Sequence, residues 1–411
     1  MKILIVSQYY YPEQFQINEI APELVKRGHD VTVLTGLPNY PRGEIYPGYE
    51  NTQRRKEVIN GVRVIRVEEH PRKTGSKNLI KNYISFYRNG TKAVKRLTSD
   101  YDIVLCYQLS PVTMLKPAVA YAKKNKKPLL TYCLDIWPES AKDQLNIPLA
   151  YSIITFLSKA LYRKSDHIAV TSRPFIDYFA EKIDYDISKM SYIPQHADMS
   201  MLDVDFTSQD NDVTDFMYAG NMGKGQTLEV ILEAVAELKN IDGFCVHMVG
   251  DGSKRSELEA LAEKLQIKDK IIFYGNQKRE DMPSFYKMAD ALLITLRGNN
   301  AVGNTMPGKL QMYMTTGKPI LGAINGAANE VIKESKCGKC VASGDYKGLA
   351  QIMADYIEHP EKYISCGEQA REYFKAHFTL KKYCDDLEYQ MSKLVKKNEN
   401  EKTYPRKSTL Y

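Results

Sequence analysis

No stretch of this 411-residue sequence approaches the run of about eighteen apolar residues that a bilayer-spanning helix needs. The apolar start, Ile3 to Val6, is too short for a secretory signal and reads as a first strand, so a cytoplasmic location is expected. Cysteines are few, seven in all, and form no disulfide framework. Cys337-Gly-Lys-Cys340 has CxxC spacing but no second pair or histidine pair for zinc, so it reads as two reduced thiols at a helix end. There is one tryptophan and there are seven histidines, a thin supply for histidine-based acid–base chemistry. No internal repeat is present. Nor does any recognisable nucleic-acid module accompany the positive charge, and no nucleic-acid partner is expected.

What is present is the composition of a globular protein, 43% hydrophobic and 26% charged, long enough for two or three domains. The net charge of +7 is unevenly spread: residues 1–200 carry 29 basic and 20 acidic residues, and the remainder 28 and 30. Within 54–96 alone there are 13 basic and 3 acidic side chains, which calls for an anionic partner of the first half.

Strand and helix patterns alternate. Apolar runs at Lys2–Ser7, His29–Thr35, Val62–Val67, Ile103–Tyr107, Leu129–Leu134 and His167–Thr171 are separated by helical periodicity. After an acidic, loop-like stretch at 203–215 the rhythm restarts, with strands at Phe216–Ala219, Phe244–Val249, Ile271–Tyr274, Ala291–Thr295, Ile320–Ala323 and Lys339–Ala342. The expectation is an α/β protein of two doubly wound parallel sheets. Its domains would be 1–200 and 201–380, with a helix at 381–395 crossing back to the first and a disordered polar tail at 396–411.

Residues 303–332 hold the densest signal. Pro307-Gly308-Lys309-Leu310 opens a helix that Gly317 ends, and Asn325-Gly326 opens a second helix carrying Glu330. Two helix N-termini after tight turns at one sheet edge suit a phosphate. Gly220-Asn221-Met-Gly223-Lys224-Gly225 follows a strand and precedes a helix, a context for phosphate approach as well as for an ordinary βα turn. Asp135-Ile-Trp137-Pro-Glu139 lies at a strand's carboxyl end, where ligands of open sheets bind. Asp135 there accepts a proton from an attacking hydroxyl, steadies a developing positive charge, or caps the next helix. Tyr11, Asn39 and Tyr40 lie in the loops after the first two strands and Asn18 one turn into the first helix, so all four could line one cleft.

Residues 76–97 combine an apolar stripe (Leu79, Ile80, Tyr83, Ile84, Tyr87, Val94, Leu97) with Lys77, Lys81, Arg88, Lys92, Lys95 and Arg96. Such a helix either packs on the core or lies on an anionic membrane surface.

Taken together these motifs resemble bacterial glycosyltransferases of retaining family 4, of GT-B fold with two facing Rossmann-like domains. The resemblance rests on Met1-Lys-Ile-Leu-Ile-Val-Ser-Gln-Tyr-Tyr-Tyr-Pro12, Arg27-Gly-His-Asp-Val-Thr-Val-Leu-Thr-Gly-Leu-Pro-Asn-Tyr-Pro41, Leu134-Asp-Ile-Trp-Pro-Glu-Ser140, Tyr218-Ala-Gly-Asn-Met-Gly223 and Pro307-Gly-Lys-Leu310. It covers residues 1–395 and is nearest to the branch that adds L-fucosamine-type or other N-acetylated sugars in O-antigen or capsule synthesis. It implies a UDP-sugar donor held by Gly220, Asn221, Gly223, Lys224, Pro307, Gly308, Lys309, Leu310 and Glu330. The acceptor it implies is a polyprenyl-diphosphate-linked saccharide near Tyr11, Asn18, Asn39, Tyr40, Trp137 and Glu139, with Asp135 catalytic. It implies no metal and no cofactor, since lysines and backbone amides would neutralise the departing diphosphate.

The sequence departs from that family in two places. The glutamates expected eight positions apart fall at Asn304 and Met312, and Asn221 replaces the usual arginine. A non-catalytic sugar-nucleotide or lipid-binding module therefore stands as an alternative, and a GT-B epimerase acting on UDP-N-acetylhexosamine is another, against which the few histidines count.

Overall fold

A computed structural model describes residues 1–50, 54–140, 148–207, 211–298 and 305–403. The chain divides into two compact units: Met1–Ile193 joined by the chain from Cys384, and Pro194–Tyr383. The break thus falls at 193/194, a few residues ahead of the expected boundary.

The first unit runs β1 (Lys2–Val6), α1 (Ile17–Lys26), β2 (Asp30–Thr35), β3 (Lys56–Ile59), β4 (Val62–Arg66) and α2 (Ser76–Val94). It continues with β5 (Ile103–Gln108), α3 (Leu115–Asn125), β6 (Leu129–Cys133), α4 (Pro148–Tyr162), β7 (His167–Val170), α5 (Pro174–Tyr178) and β8 (Met190–Tyr192). The strands form one sheet in the order β3-β4-β2-β1-β5-β6-β7-β8. Ile3 to Val6 are wholly buried because β1 sits mid-sheet with β2 on one side and β5 on the other. The order reverses between β1 and β5, which makes their carboxyl ends the ligand crevice of such a sheet.

Among the described strands only β3 runs antiparallel to its neighbour, and the sequence reading does not include it. Asn60 and Gly61, both at positive φ, form the two-residue turn that joins it to β4. An Asn-Gly pair between β-branched runs is the strongest local hairpin signal in a sequence.

The second unit runs β9 (Thr214–Ala219), α6 (Glu229–Glu237), β10 (Phe244–Val249), α7 (Arg255–Lys264), β11 (Ile271–Gly275), α8 (Met282–Met288) and β12 (Ala291–Thr295). Then come α9 (Gly308–Thr316), β13 (Ile320–Ala323), α10 (Gly326–Ser335), β14 (Gly338–Val341), α11 (Tyr346–Glu358) and α12 (Ile364–His377). All six strands are parallel, in the order β11-β10-β9-β12-β13-β14, with the reversal between β9 and β12.

The last helix, α13 (Leu380–Thr403), corrects the expectation of a tail disordered from Lys396. Its Lys- and Glu-rich end continues a helix already nucleated by packing, where each further residue adds a hydrogen bond at little cost. Residues 404–411 lie outside the described residues. Arg27 ties α13 to the first unit: Nη1 donates to Asp385 and Glu388, both at 2.7 Å, and His29 Nε2 lies 2.5 Å from Glu388. Only 18% of the Arg27 side chain is exposed, and Arg27→Met would take one close donor from each of two carboxylates. That variant is expected to lose about 1–3 kcal/mol of stability, read as a lower thermal midpoint. An unchanged midpoint would mean that α13 is anchored by its apolar contacts alone.

Helix α2 packs with a face that overlaps the expected stripe only in part, at Val94, Tyr83 and, just past its end, Leu97. It buries Asn82, Phe86, Gly90 and Val94, while Ile80 (54%) and Ile84 (43%) stay exposed. Gly90 selects this face, since a Cβ there would stand 2.8 Å from Pro117 on α3. Asn82 can be buried because Glu69 and the His70 carbonyl accept from its amide.

Candidate functional site

In the first unit, the carboxyl ends of β1, β2, β5 and β6 bring together residues far apart in sequence. Asp135 Oδ2 accepts from Ser110 Oγ at 2.7 Å, and Trp137 Nε1 donates to the same Oγ at 2.9 Å. Among the described residues, the hydrogen bonds of this carboxylate go to Ser110. Burial raises the Asp135 pKa, against the lowering effect of the Ser110 bonds. The result is a carboxylate more basic than an exposed one.

Beside it stands an aromatic shelf. Tyr9 stacks on Phe15 at 5.0 Å, Tyr40 tilts against both, and Tyr83 meets Trp137 edge-on at 6.3 Å. Arg72 lies over the rings of Tyr40 and Tyr83, 5.0 and 5.9 Å from their centroids, and donates to the Tyr9 hydroxyl at 3.3 Å. Arg72, Tyr9, Phe15 and Ser110 were not singled out from the sequence. Arg72 and Ser110 follow β4 and β5, and only the strand order puts them beside Asp135.

The predicted acceptor residues divide. Tyr40 (39% exposed) and Tyr11 (47%) contribute open surface near the strand ends, whereas Trp137 is buried in the core beside them. Asn39 is 1% exposed with its amide committed, donating to the Leu37 carbonyl and accepting from the Arg72 N–H, so it builds the loop rather than meeting a ligand. Asn18 donates to the Glu13 carbonyl. Glu139 accepts from Tyr151 at 2.7 Å and Tyr178 at 3.5 Å, which ties it into the packing of α4 and α5.

In the second unit, the site forms where the strand order reverses. Gly220 follows β9 with φ +148°, and a Cβ there would stand 2.7 Å from Lys309 Cε. A Cβ at Gly250, after β10, would stand 2.0 Å from the Gly220 carbonyl oxygen, so these two loops meet backbone to backbone. The Met222 N–H donates to the Asp251 carbonyl, which closes the arrangement. A cleft of about 410 Å³ opens at these strand ends, lined by Gly220, Asn221, Gly250, Asp251, Asn276 and Gln277 among others.

Lys309, in the first turn of α9, reaches into this region. Its Nζ stands 3.6 Å above the Tyr218 ring and donates to Gln226 Oε1 at 3.1 Å. Burial lowers its pKa to about 7. No ion pair to a carboxylate holds it among the described residues. Gly308 is exposed at the helix start, where free N–H groups add positive potential.

Leu310, by contrast, is wholly buried, and its N–H is taken by the Pro307 carbonyl, so its part is to seat α9 on the sheet. Asn221 and Lys224 are exposed on the glycine loop, and Glu330 is exposed on the second turn of α10. Met312 is half-buried, and Asn304 lies outside the described residues. Among the described residues no group of three or more His, Cys, Asp or Glu side chains could hold a metal ion.

The family model of glycosyl transferases group 1 matches residues 204–373, and that of the glycosyl transferase 4-like domain matches residues 14–196. The chain is a glycosyltransferase. Its fold is GT-B, in which each of the two sites described above belongs to one Rossmann-like unit. The solved HepE of Anabaena in complex with UDP superposes with a TM-score of 0.68 over 96% of this chain and 100% of that one, at 14% identity. The glycosyltransferase is 23% identical to the putative colanic acid biosynthesis glycosyl transferase WcaI of Escherichia coli, over 77% of this chain and 82% of that protein. It is 25% identical to N-acetyl-α-D-glucosaminyl L-malate synthase of Bacillus anthracis, over 42% of this chain and less than half, 43%, of that enzyme.

Proposed function

We propose that this glycosyltransferase moves a sugar, an N-acetylated or deoxy-amino hexose, from a UDP-sugar to a polyprenyl-diphosphate-linked saccharide. Configuration at the anomeric carbon is retained, and the product feeds surface polysaccharide of O-antigen or capsule type. The observation that carries this reading is Lys309: a desolvated amine with no carboxylate partner among the described residues, at a helix N-terminus, beside a glycine loop that leaves its side chain room. A diphosphate supplies the charge that this cation lacks, and no metal or other cofactor is needed to neutralise it. The UDP bound by HepE and the colanic acid role in the name of WcaI fit the same reading.

Asp135, oriented by Ser110, takes the proton of the acceptor hydroxyl, and the aromatic shelf beside it gives the apolar faces on which a sugar ring stacks. A mass-spectrometric screen of UDP-sugars against a short-prenyl diphosphate acceptor tests the whole. UDP released only when acceptor is present, with one new glycoside, is the expected outcome. Donor converted to an epimer without acceptor would make the protein an epimerase, and UDP bound with no turnover would make it a binding module.

The enzyme works on the cytoplasmic face of the membrane, held there by α2. No described helix is long and apolar enough to cross a bilayer. The outward face of α2 instead sets Ile80 and Ile84 among exposed Lys77, Lys81 and Arg88. Each basic group near an anionic surface is worth about 1 kcal/mol. Changing all three to glutamate is expected to abolish co-sedimentation with vesicles of anionic lipid but leave turnover of a detergent-soluble acceptor intact. Undiminished co-sedimentation would place the membrane contact on another face.

A further inference from the structure

We infer that Arg72 binds an anionic oxygen group, a phosphate or a carboxylate, carried by the acceptor close to the hydroxyl that receives the sugar. The inference rests on the transferase reading above and adds to it a charge requirement on the acceptor.

Arg72 is built in rather than left loose on the surface. Its N–H is held by Asn39 Oδ1 at 3.0 Å, and the next residue's N–H is held by the Gly43 carbonyl at 2.7 Å, so two loops fix its backbone. Its guanidinium lies against two tyrosine rings and spends one N–H on Tyr9. Five donors in a fixed fork are far more than one phenol oxygen can use.

No carboxylate pairs with it among the described residues, although two lie in the same loop cluster. Each has one oxygen engaged elsewhere, and Glu69 Oε2 is buried with no hydrogen-bond partner among the described residues. Glu13 Oε1 accepts from the N–H groups of Asn39 and Tyr40, both at 2.7 Å. Glu69 Oε1 accepts from Gln8 and Asn82, and burial raises the Glu69 pKa well above the ordinary carboxylate value, which favours its neutral form. The arginine therefore keeps an uncompensated charge over an aromatic surface, in the geometry that guanidinium uses to grip phosphate or carboxylate bidentately.

Its distance from the chemistry is short. The Tyr9 hydroxyl that accepts from Arg72 itself donates to the Ser110 carbonyl at 3.1 Å, and Ser110 Oγ holds Asp135. Tyr83, under the guanidinium, touches Trp137, which donates to the same Ser110. One tyrosine and one serine thus separate the unpaired cation from the carboxylate that faces the acceptor hydroxyl. An acceptor whose anion lies many sugars away would leave Arg72 unused.

The test reads binding apart from turnover. Trp137 is the only tryptophan, and it abuts Tyr83, so its fluorescence reports occupancy of this site. Wild-type protein is titrated with three probes: farnesyl diphosphate, a methyl glucuronoside and the neutral methyl glucoside. A saturable response to the diphosphate or to the uronate is expected, and the one that responds identifies the anion. In Arg72→Met the apparent Kd for that probe should rise about thirtyfold or more, with Arg72→Lys in between and UDP binding unchanged.

Equal responses to charged and neutral probes in the wild type would overturn the inference. So would equal losses for both in Arg72→Met, which would mean that the arginine only supports the aromatic shelf. An Arg72-dependent response in a protein that proves to have no transferase activity would sink the function proposed above while leaving the anion site standing.

Discussion

Asp135→Asn is expected to lower kcat by about 10²–10⁴-fold, the range of a positioned proton-transfer group. Donor KM and the thermal midpoint should stay near wild type. The asparagine is isosteric and can still accept from Ser110 Oγ, so the 2.7 Å contact and the Trp137 bond behind it persist. What disappears is the basicity. Burial raises the Asp135 pKa, which makes it a better proton acceptor and moves the acid limb of kcat above the ordinary aspartate range. Ser110→Ala removes a bond that favours the charged carboxylate, so it should push that limb higher still with a smaller loss of maximal kcat. Single-turnover kinetics across pH measure both. Wild-type kcat in Asp135→Asn would remove the residue from the chemistry and leave it a spacer.

Much of the frame behind this site is legible in the sequence. The expected strands lie within a residue or two of the observed ones wherever a central parallel strand reads as an unbroken apolar run, as Ile103–Gln108 and Leu129–Cys133 do. The glycine loop and Asp135 stand out in the sequence for a related reason, since each sits just past a strand end, where such folds put ligands; Lys309 stands out as the lysine of a turn that opens a helix.

The remainder needed partners that no local pattern encodes. Arg72 is one basic residue in a very basic stretch until Tyr40, Tyr83 and Tyr9 close around it. Helix α2 buries Asn82 in preference to Ile80 because Glu69, thirteen residues upstream, satisfies its amide. A count of apolar positions assigns Asn82 to solvent. Asn39 failed in the opposite sense, a polar loop residue that spends its amide on its own loop and on Arg72. The Asn60-Gly61 hairpin is different, since its signal is local and plain in the sequence.

Lys309 gives the second large effect, and its sign follows from burial. Without ligand its pKa is lowered to about 7, against an ordinary lysine near 10.4. Between those values the unfolded chain binds a proton that the folded one does not. Folding stability from this group therefore rises with pH across that window, and the cost of a charged buried amine is full only below it. A diphosphate reverses the preference by favouring the ammonium. UDP should therefore bind with uptake of up to one proton above pH 7, and its affinity should fall toward tenfold per pH unit as the amine becomes harder to charge. Calorimetry in two buffers of different ionisation enthalpy reads that proton directly.

Lys309→Arg keeps the charge at every accessible pH and should flatten the dependence. Lys309→Ala should cost about 10²–10³-fold in kcat/KM for the donor, as loss of one preorganised stabiliser does elsewhere. Gly220 is what allows the amine to sit where it does, since a side chain there would meet Lys309 Cε. If UDP bound equally well to wild type and Lys309→Ala, with no proton taken up by either, the leaving diphosphate would have to be held by the α9 N-terminus and the glycine loop alone.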